Sequence, residues 1–227
     1  MIVAVHQPQY LPWLGYFDKI LKADVFVLLD NVQFKKNEWQ NRNKIKTAQG
    51  WQWLTVPVKY KFPQLINEVI INNTVKWQHK QRQAILSNYK KAPCYHYLDD
   101  FFDEIFSHAW QSISQLNIHV VTRLANILGI KTPIFIASEL GDFPNDPDER
   151  LIAITEHFKA ETYLAGSGGR QYMDLEKFRA ADIDVIFQDY KHPVYNQRFG
   201  EFALYMAVID LILNHGENSL AILRGSK

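Results

Sequence analysis

Residues 3–34 read VAVHQPQYLPWLGYFDKILKADVFVLLDNVQF, and this stretch decides the fold. Residues 2–6 form a short apolar run bounded by Gln and Pro. That suits a central parallel strand, which is covered on both faces and has no solvated side. Pro8 and Pro12 keep a helix from starting early, because proline lacks the N–H a helix interior needs, and Pro12 suits a first helical turn. Trp13, Phe17, Ile20 and Leu21 then recur on one face at helical spacing, with Asp18, Lys19 and Lys22 elsewhere. Ala23 and Asp24 close that helix, and 25–29 is a second buried strand. Strand, elbow, helix and strand make a βαβ unit. Chemistry in such a unit gathers beyond the first strand's carboxyl end, where side chains and free helix N–H groups converge. The residues there are His6, Gln7, Gln9, Tyr10, Trp13 and Tyr16.

Residues 30–46, DNVQFKKNEWQNRNKIK, are polar and basic. They read as a solvated loop or, through the closeness of Gln33, Trp39, Asn41, Arg42, Asn43 and Lys44, as the donor and acceptor set of a polar ligand. Residues 51–59 alternate as a half-buried strand with 67–72 as partner, and Pro57 and Pro63 keep this pair out of the central sheet. Thr74 reads as the N-cap of a helix reaching about residue 89. Residues 97–129 read as helical with a break near 115–117 and Gly129 as C-cap. Strands at 134–137, 162–165 and 184–188 follow, separated by helices at 147–158 and 175–180, with a last helix at 202–214 before Gly216. The alternation predicts an α/β fold: a three-layer, doubly wound, mostly parallel sheet. It reads as a single domain over 1–227, with a hairpin and helices inserted at about 47–130.

Hydrophobic residues at 47% and charged ones at 22% exclude disordered and fibrous classes. Lys+Arg 25 against Asp+Glu 24 leaves a formal charge of +1, which gives no global reason to expect nucleic acid or an anionic membrane. Anion binding must be local. Lys35, Lys36, Arg42, Lys44 and Lys46 around Trp39 form such a patch, and a nucleotide, a phosphorylated lipid or an activated sugar is a more economical reader of it than nucleic acid. The single cysteine, Cys94, excludes an internal disulfide and points to a reducing compartment. No apolar run reaches the roughly 18 residues of a membrane helix, and no basic segment leads into a long apolar core. A cytoplasmic protein without membrane insertion is the expectation.

The loop GSGGR at 166–170 follows a strand. It reads as a plain strand-to-helix turn or as an anion site, with Ser167, Gly168 and Gly169 presenting N–H groups to a phosphate or carboxylate and Arg170 adding a bidentate contact. His6 ends the first strand and His192 follows the fifth, so both reach one edge of the sheet. Two imidazoles there would bracket a small substrate, His6 as base and His192 as an anion or leaving-group contact. No metal site is expected: the other histidines lack metal-ligand spacing, and His6 with Asp30 is the one pair that adjacent strand ends could bring together. There is no G-x-S-x-G elbow, and Cys94 sits beside Pro93 in a turn, so a Ser or Cys nucleophile has little support.

HQPQYLPWLGYFDKI at 6–20, Asp30 with VQF at 32–34, WQNRNKIK at 39–46, YLAGSGGRQYMD at 163–174 and KHPVYNQ at 191–197 together resemble the WbqC-like family, named from polysaccharide gene clusters. These blocks span nearly the whole chain. The resemblance implies a link to O-antigen and other surface-glycan pathways. A weaker, partial one is to pantothenate synthetase-like nucleotidyltransferases. Leu14-Gly15-Tyr16-Phe17 stands where those enzymes have x-Gly-His-Leu, Gln33-Phe34 where they have Gln-Phe, and 167–174 resembles their Ser-Ser-Arg-Asn segment. It implies a nucleotide-binding fold of the HUP and nucleotidyltransferase kind. Trp13 and Tyr16, however, occupy the two histidine positions that would hold phosphates. Either the anion is held otherwise, by His6 and Arg42 for instance, or no adenylation takes place. The joint expectation is a transferase or amide ligase of surface-polysaccharide or amino-sugar modification. It would carry out acyl or aminoacyl transfer, or ATP-dependent amide formation, on a small polar substrate such as a sugar nucleotide or amino sugar. ATP with Mg²⁺ or an acyl or aminoacyl donor would be the co-substrate. His6 and His192 would be catalytic, with Gln7, Gln9, Tyr10, Gln33, Trp39, Asn41, Arg42, Asn43 and Lys44 holding substrate. The competing class is a non-catalytic protein that holds a sugar nucleotide or glycan intermediate. The oligomeric state is left open.

Overall fold

The most apolar segments lie at the centre of one sheet. The computed structural model describes residues 1–225. The chain runs β1 (Ile2–His6), α1 (Leu14–Leu21), β2 (Val25–Leu28), β3 (Arg42–Thr47), β4 (Gly50–Thr55), β5 (Val58–Lys59), β6 (Ile70–Ile71), α2 (Trp77–Tyr89), α3 (Asp99–Ser107) and α4 (Ile113–Ile127). It continues through β7 (Ile134–Ile136), α5 (Ala137–Leu140), α6 (Pro147–His157), β8 (Thr162–Ala165), α7 (Leu175–Ala180), β9 (Asp184–Phe187), α8 (Val208–His215) and α9 (Ser219–Leu223). Five strands form an all-parallel sheet in the order β7-β2-β1-β8-β9, flanked by helices, which is the three-layer doubly wound arrangement the alternation predicted. Val3 lies between Val25 and Tyr163 in register. The interior strands β1, β2 and β8 are buried along most of their length, whereas the edge strands β7 and β9 expose Phe135 and Ile186.

The strand order positions the site. From β1 the chain moves outward through β2 to β7, then returns to the other side of β1 for β8 and β9. The connections leaving β1 and β8 therefore diverge, and a crevice opens beyond the carboxyl ends of these two neighbours.

Several boundaries differ from the sequence reading. Residues 42–47 are a strand, not part of a loop, and they pair antiparallel with 50–55. Their inward positions carry Asn43 beside Ile45, so the polar amide hid the period of two. Residues 51–55 thus take β3 as partner, and 58–59 alone pair with 70–71. The first long helix starts at Trp77, because Thr74 is turned back onto Asn72. The break in the second helical region falls at 108–112, where Ser112 accepts from the Ser114 N–H as an N-cap. Residues 115–117 stay helical; Asn117 is fully buried in the middle of α4. The last helix begins at Val208, since Tyr205 takes φ +60° and Ala207 bridges to Trp13.

The elbow between β1 and α1 has no sheet partner of its own along most of its length, and two prolines remove donors from it. Its carbonyls are met by side chains and chain segments from far away. Asn117 Nδ2 donates to Pro8 O (3.2 Å) and Gln40 O (2.7 Å). Asn43 Nδ2 donates to Leu11 O (2.6 Å), and Tyr16 Oη to Gln7 O (3.0 Å). Gln188 Nε2 reaches Gly15 O (2.8 Å), and the Val208 N–H reaches Pro12 O (2.8 Å). Leu11, at φ +45°, is held in the left-handed region by this network.

Candidate functional site

A cleft of about 480 Å³ lies at the reversal of strand order. His6 and Gln7 form its β1 side, and Gln33 and Lys35 come from the segment after β2. Arg150 of α6 also lines it, its guanidinium donating to Pro144 O (2.9 Å) and Asn145 O (2.9 Å). Tyr163, Gly166, Gly169 and Tyr172 supply the wall built by β8 and the loop after it, and Lys19 enters from α1. Lys19, Lys35 and Arg150 line this cleft together with His6, and no carboxylate among the described residues does. A cleft with cations and no fixed anion is complementary to an anionic ligand.

His6 is held in one protonation state. Its Nδ1 donates to Gln7 O (3.1 Å), which leaves Nε2 as an acceptor. Tyr16 lies against the ring, with centroids 4.7 Å apart. Burial first, and the Lys19 ammonium second, push the imidazole down to about 3. Lys19 is 3% exposed, because α1 buries seven of its eight residues and has no solvated face. Its Nζ donates to Val5 O (2.9 Å) and lies 5.9 Å from the centre of the Tyr163 ring. Burial lowers its ammonium to about 7. The neighbouring Asp18 does not balance it, for that carboxylate takes Lys22 (2.9 Å) and Gln188 Nε2 (2.7 Å).

The loop after β8 is open toward the cleft. A Cβ at Gly169 would meet Met173 Sδ at 2.7 Å, so packing demands glycine there. At Gly166 and Gly168 a Cβ would meet nothing within 4 Å. Glycine at those two positions leaves the main chain bare to whatever approaches. Gly166 and Gly169 line the cleft, whereas Ser167, Gly168 and Arg170 do not. The Arg170 guanidinium lies 4.7 Å from the centre of the Phe187 ring.

The other residues singled out in the sequence are elsewhere. Gln9 and Tyr10 are buried, and Tyr10 Oη donates to Gln81 Oε1 (2.6 Å). Asn41 is buried too, its Nδ2 donating to Val56 O (3.0 Å) and its Oδ1 accepting from the Asn37 N–H (3.0 Å). Asn41 and Asn43 thus serve main-chain groups. Arg42 lies over Trp53 (4.3 Å) and Lys44 over Trp51 (4.2 Å), on the β3–β4 hairpin and outside the cleft lining. Trp39 lines a separate cavity of about 290 Å³ with Trp13 and Tyr205. His192 does not line the cleft with His6. Its Nδ1 donates to Pro193 O (2.8 Å), its Nε2 accepts from the Tyr205 N–H (3.4 Å), and its ring sits among Trp13, Tyr190 and Phe202. Both nitrogens are engaged, so this ring braces its loop. Asp30 gives both carboxylate oxygens to Ser138, N–H at 3.0 Å and Oγ at 2.7 Å. No group of three or more His, Cys, Asp or Glu among the described residues is placed to hold a metal ion.

The elbow also tests the nucleotidyltransferase resemblance. The Trp13 indole lies across the first turn of α1, so that a Cβ on Gly15 would fall 2.1 Å from it. Tyr16 is 2% exposed, with its hydroxyl spent on Gln7. Neither position offers a phosphate contact.

Sequence reading missed Lys19 and Arg150. Lys19 was assigned to a polar side of α1, and no local signal opposed that, because a helix flanking a doubly wound sheet ordinarily keeps a solvated face; here later parts of the chain such as α9 also pack against α1. Arg150 lies in the helix read at 147–158 and was not singled out there.

The fold and site thus define a doubly wound α/β protein with a basic cleft at the reversal of strand order. The chain belongs to the WbqC-like protein family, which it matches over residues 7–222. It is 34% identical over 226 residues, 98% of this chain and 97% of the relative, to a protein of Mycobacterium tuberculosis (strain ATCC 25618 / H37Rv) described as uncharacterized protein Rv1507c. No solved structure matches it. Membership of the family hints at a polysaccharide-related role. None of the helices is long and apolar enough to cross a membrane among the described residues.

Proposed function

We propose that the chain is an enzyme of surface-polysaccharide or amino-sugar modification. It would transfer an acyl or aminoacyl group to the amine of a small anionic substrate, such as an amino-sugar nucleotide, bound in the cleft between β1 and β8. The observation that carries this reading is the lining itself, with Lys19, Lys35 and Arg150 and no carboxylate at the place where doubly wound sheets bind ligands. The bare main chain at Gly166 adds an approach for phosphate or carboxylate oxygens. Gln7 and Gln33, which both line the cleft, suit the hydroxyls of a sugar, Gln7 through its NH₂ because its Oε1 accepts from Gln40 Nε2 (2.7 Å). His6, neutral with Nε2 free to accept, would orient the attacking amine through its N–H. The reading gives His192 no reacting role. It favours a preformed acyl or aminoacyl donor over adenylation, because the elbow positions that would hold a nucleotide's phosphates carry Trp13 and a buried Tyr16.

A second reading rests on the cavity between Trp13, Trp39 and Tyr205, since aromatic faces stack on sugar rings. Under it the protein holds a glycan intermediate without reacting. Thermal shift against UDP-N-acetylglucosamine, coenzyme A and ATP with Mg²⁺ separates the two. Ligand at about one hundred times Kd stabilises by about 2.7 kcal/mol, or roughly 5–10 °C in a chain of this size. Shifts with both coenzyme A and the UDP-sugar are expected. The UDP-sugar alone would favour the holding protein, ATP with Mg²⁺ would restore adenylation, and no shift with any of the three would sink the proposal.

A further inference from the structure

We infer that Lys19 is the cleft's anion-recognising group and that it takes up a proton when a carboxylate or phosphate of the ligand arrives. This rests on the reading of the cleft as a site for a small anionic substrate and names the contact that reading lacks. Lys19 is almost wholly buried yet lines the cleft, and of the three hydrogens an ammonium carries, the structure accounts for one, donated to Val5 O. No carboxylate lies within ion-pair distance of it among the described residues, and Asp18 is turned to Lys22 and Gln188. A buried ammonium without a counterion is costly, and an amine left neutral is a poor anion contact. A ligand anion resolves both at once, because its charge and oxygens supply what the chain does not.

The groups facing Lys19 favour this coupling. His6 from β1 is uncharged, Tyr163 from β8 presents its ring, and the other charged groups of the lining are Lys35 and Arg150. Burial presses Lys19 toward its neutral form, lowering its ammonium to about 7, and no fixed anion among the described lining residues opposes this until a ligand supplies one. At pH 7.5 an empty cleft would hold Lys19 mostly as the free amine, and a filled one would hold it as the ammonium. Roughly half a proton then moves from solvent to Nζ for each anion bound if the midpoint rises by one unit, and more for a larger rise.

The protein labelled with [¹³Cε]lysine, titrated between pH 5 and 10 by NMR, tests this with inorganic phosphate and acetate as probes for the two ligand chemistries. The resonance missing from Lys19→Met is that of Lys19. Its midpoint is expected near 7 without probe and at least one pH unit higher when either probe saturates the cleft. Lys19→Met should bind the effective probe about tenfold or more weaker than the wild type, and Lys35→Ala and Arg150→Ala should each weaken it less. A midpoint that stays in place on saturation overturns the inference. So does Lys19→Met binding phosphate and acetate as the wild type does; if Arg150→Ala then loses binding, the anionic cleft survives without Lys19. Binding of neither probe by the wild type overturns the inference and the anionic reading of the cleft together. If Lys19→Met does not fold, Lys19→Arg makes the same assignment and the wild-type titration still decides.

Discussion

His6 and Lys19 show how little separation is needed to give two ionisable side chains different duties. They line one cleft, and both are pushed toward the uncharged form. For the imidazole this means neutrality at every physiological pH; for the amine it means a proton poised near neutrality. The linkage follows from the direction of the shift. His6 in the folded chain titrates at about 3, below its ordinary 6.5, so between these values the unfolded chain binds the extra proton. The stability His6 contributes is complete above pH 6.5 and is lost as pH falls toward 3. In urea unfolding, wild type should lose up to about 2 kcal/mol more than His6→Gln between pH 6.5 and 5. Equal slopes would mean that the imidazole is not held neutral. Turnover, once a substrate is known, should show no inflexion near 6.5 from His6.

At the scale of elements, the fold was legible wherever apolar runs coincide with strands. β1, β2 and β8 could be read because a central parallel strand is apolar on both faces. The amide-rich segment could not, because an asparagine offers a carbonyl and an NH₂ equally to a ligand and to a nearby main chain. Asn41 and Asn43 answer main-chain groups, and Asn117 was taken for a helix break when it is a strut. One physical clue was present in the sequence. An elbow with Pro8 and Pro12 is short of donors and long on carbonyls, so long-reaching amides elsewhere had to serve it. Asn117→Ala leaves Pro8 O and Gln40 O unpaired, and Asn43→Ala does the same to Leu11 O. Each should cost about 1–3 kcal/mol, seen as a lower urea midpoint at unchanged m-value. Midpoints within error of wild type would show that the elbow stands without these struts. Half of the site was visible by the same rule of strand ends, namely His6, Gln7, Gln33 and the glycines after β8. Lys19 was not, because its burial comes from layers added much later in the chain.

Across the whole molecule, Asp210 joins segments that the sequence keeps far apart. It is fully buried in α8 and accepts from Tyr89 Oη (2.7 Å), Tyr195 Oη (2.9 Å) and Gln197 Nε2 (2.8 Å). Tyr89 in turn accepts from the Lys46 N–H of β3 (2.8 Å), and Lys46 Nζ donates to Glu201 O. Hairpin, α2, the 195–203 segment and α8 meet at one carboxylate. Asp210→Ala strands two buried donors, the Tyr89 and Tyr195 hydroxyls, while Gln197 Nε2 keeps Ala203 O (3.0 Å), and should cost about 3 kcal/mol or more. Burial holds the Asp210 carboxyl above its ordinary value of 3.8 despite those donors. The folded chain therefore binds the extra proton, and stability falls as pH rises from about 4 through the folded titration. Asp210→Asn should remove that part of the pH dependence, and calorimetry from pH 4 to 7 would show the wild type losing stability relative to the variant as pH rises; parallel curves would refute it. The struts on the elbow have a further consequence, which concerns order in time. Gly15 O waits for Gln188, Pro12 O for Val208, and Trp13 for Ala207. A chain emerging from the ribosome exposes these partners only after more than about four-fifths of these residues have been made. The first turn of the chain is thus among the last to close, and the cleft beside it forms as an act of completion rather than of nucleation.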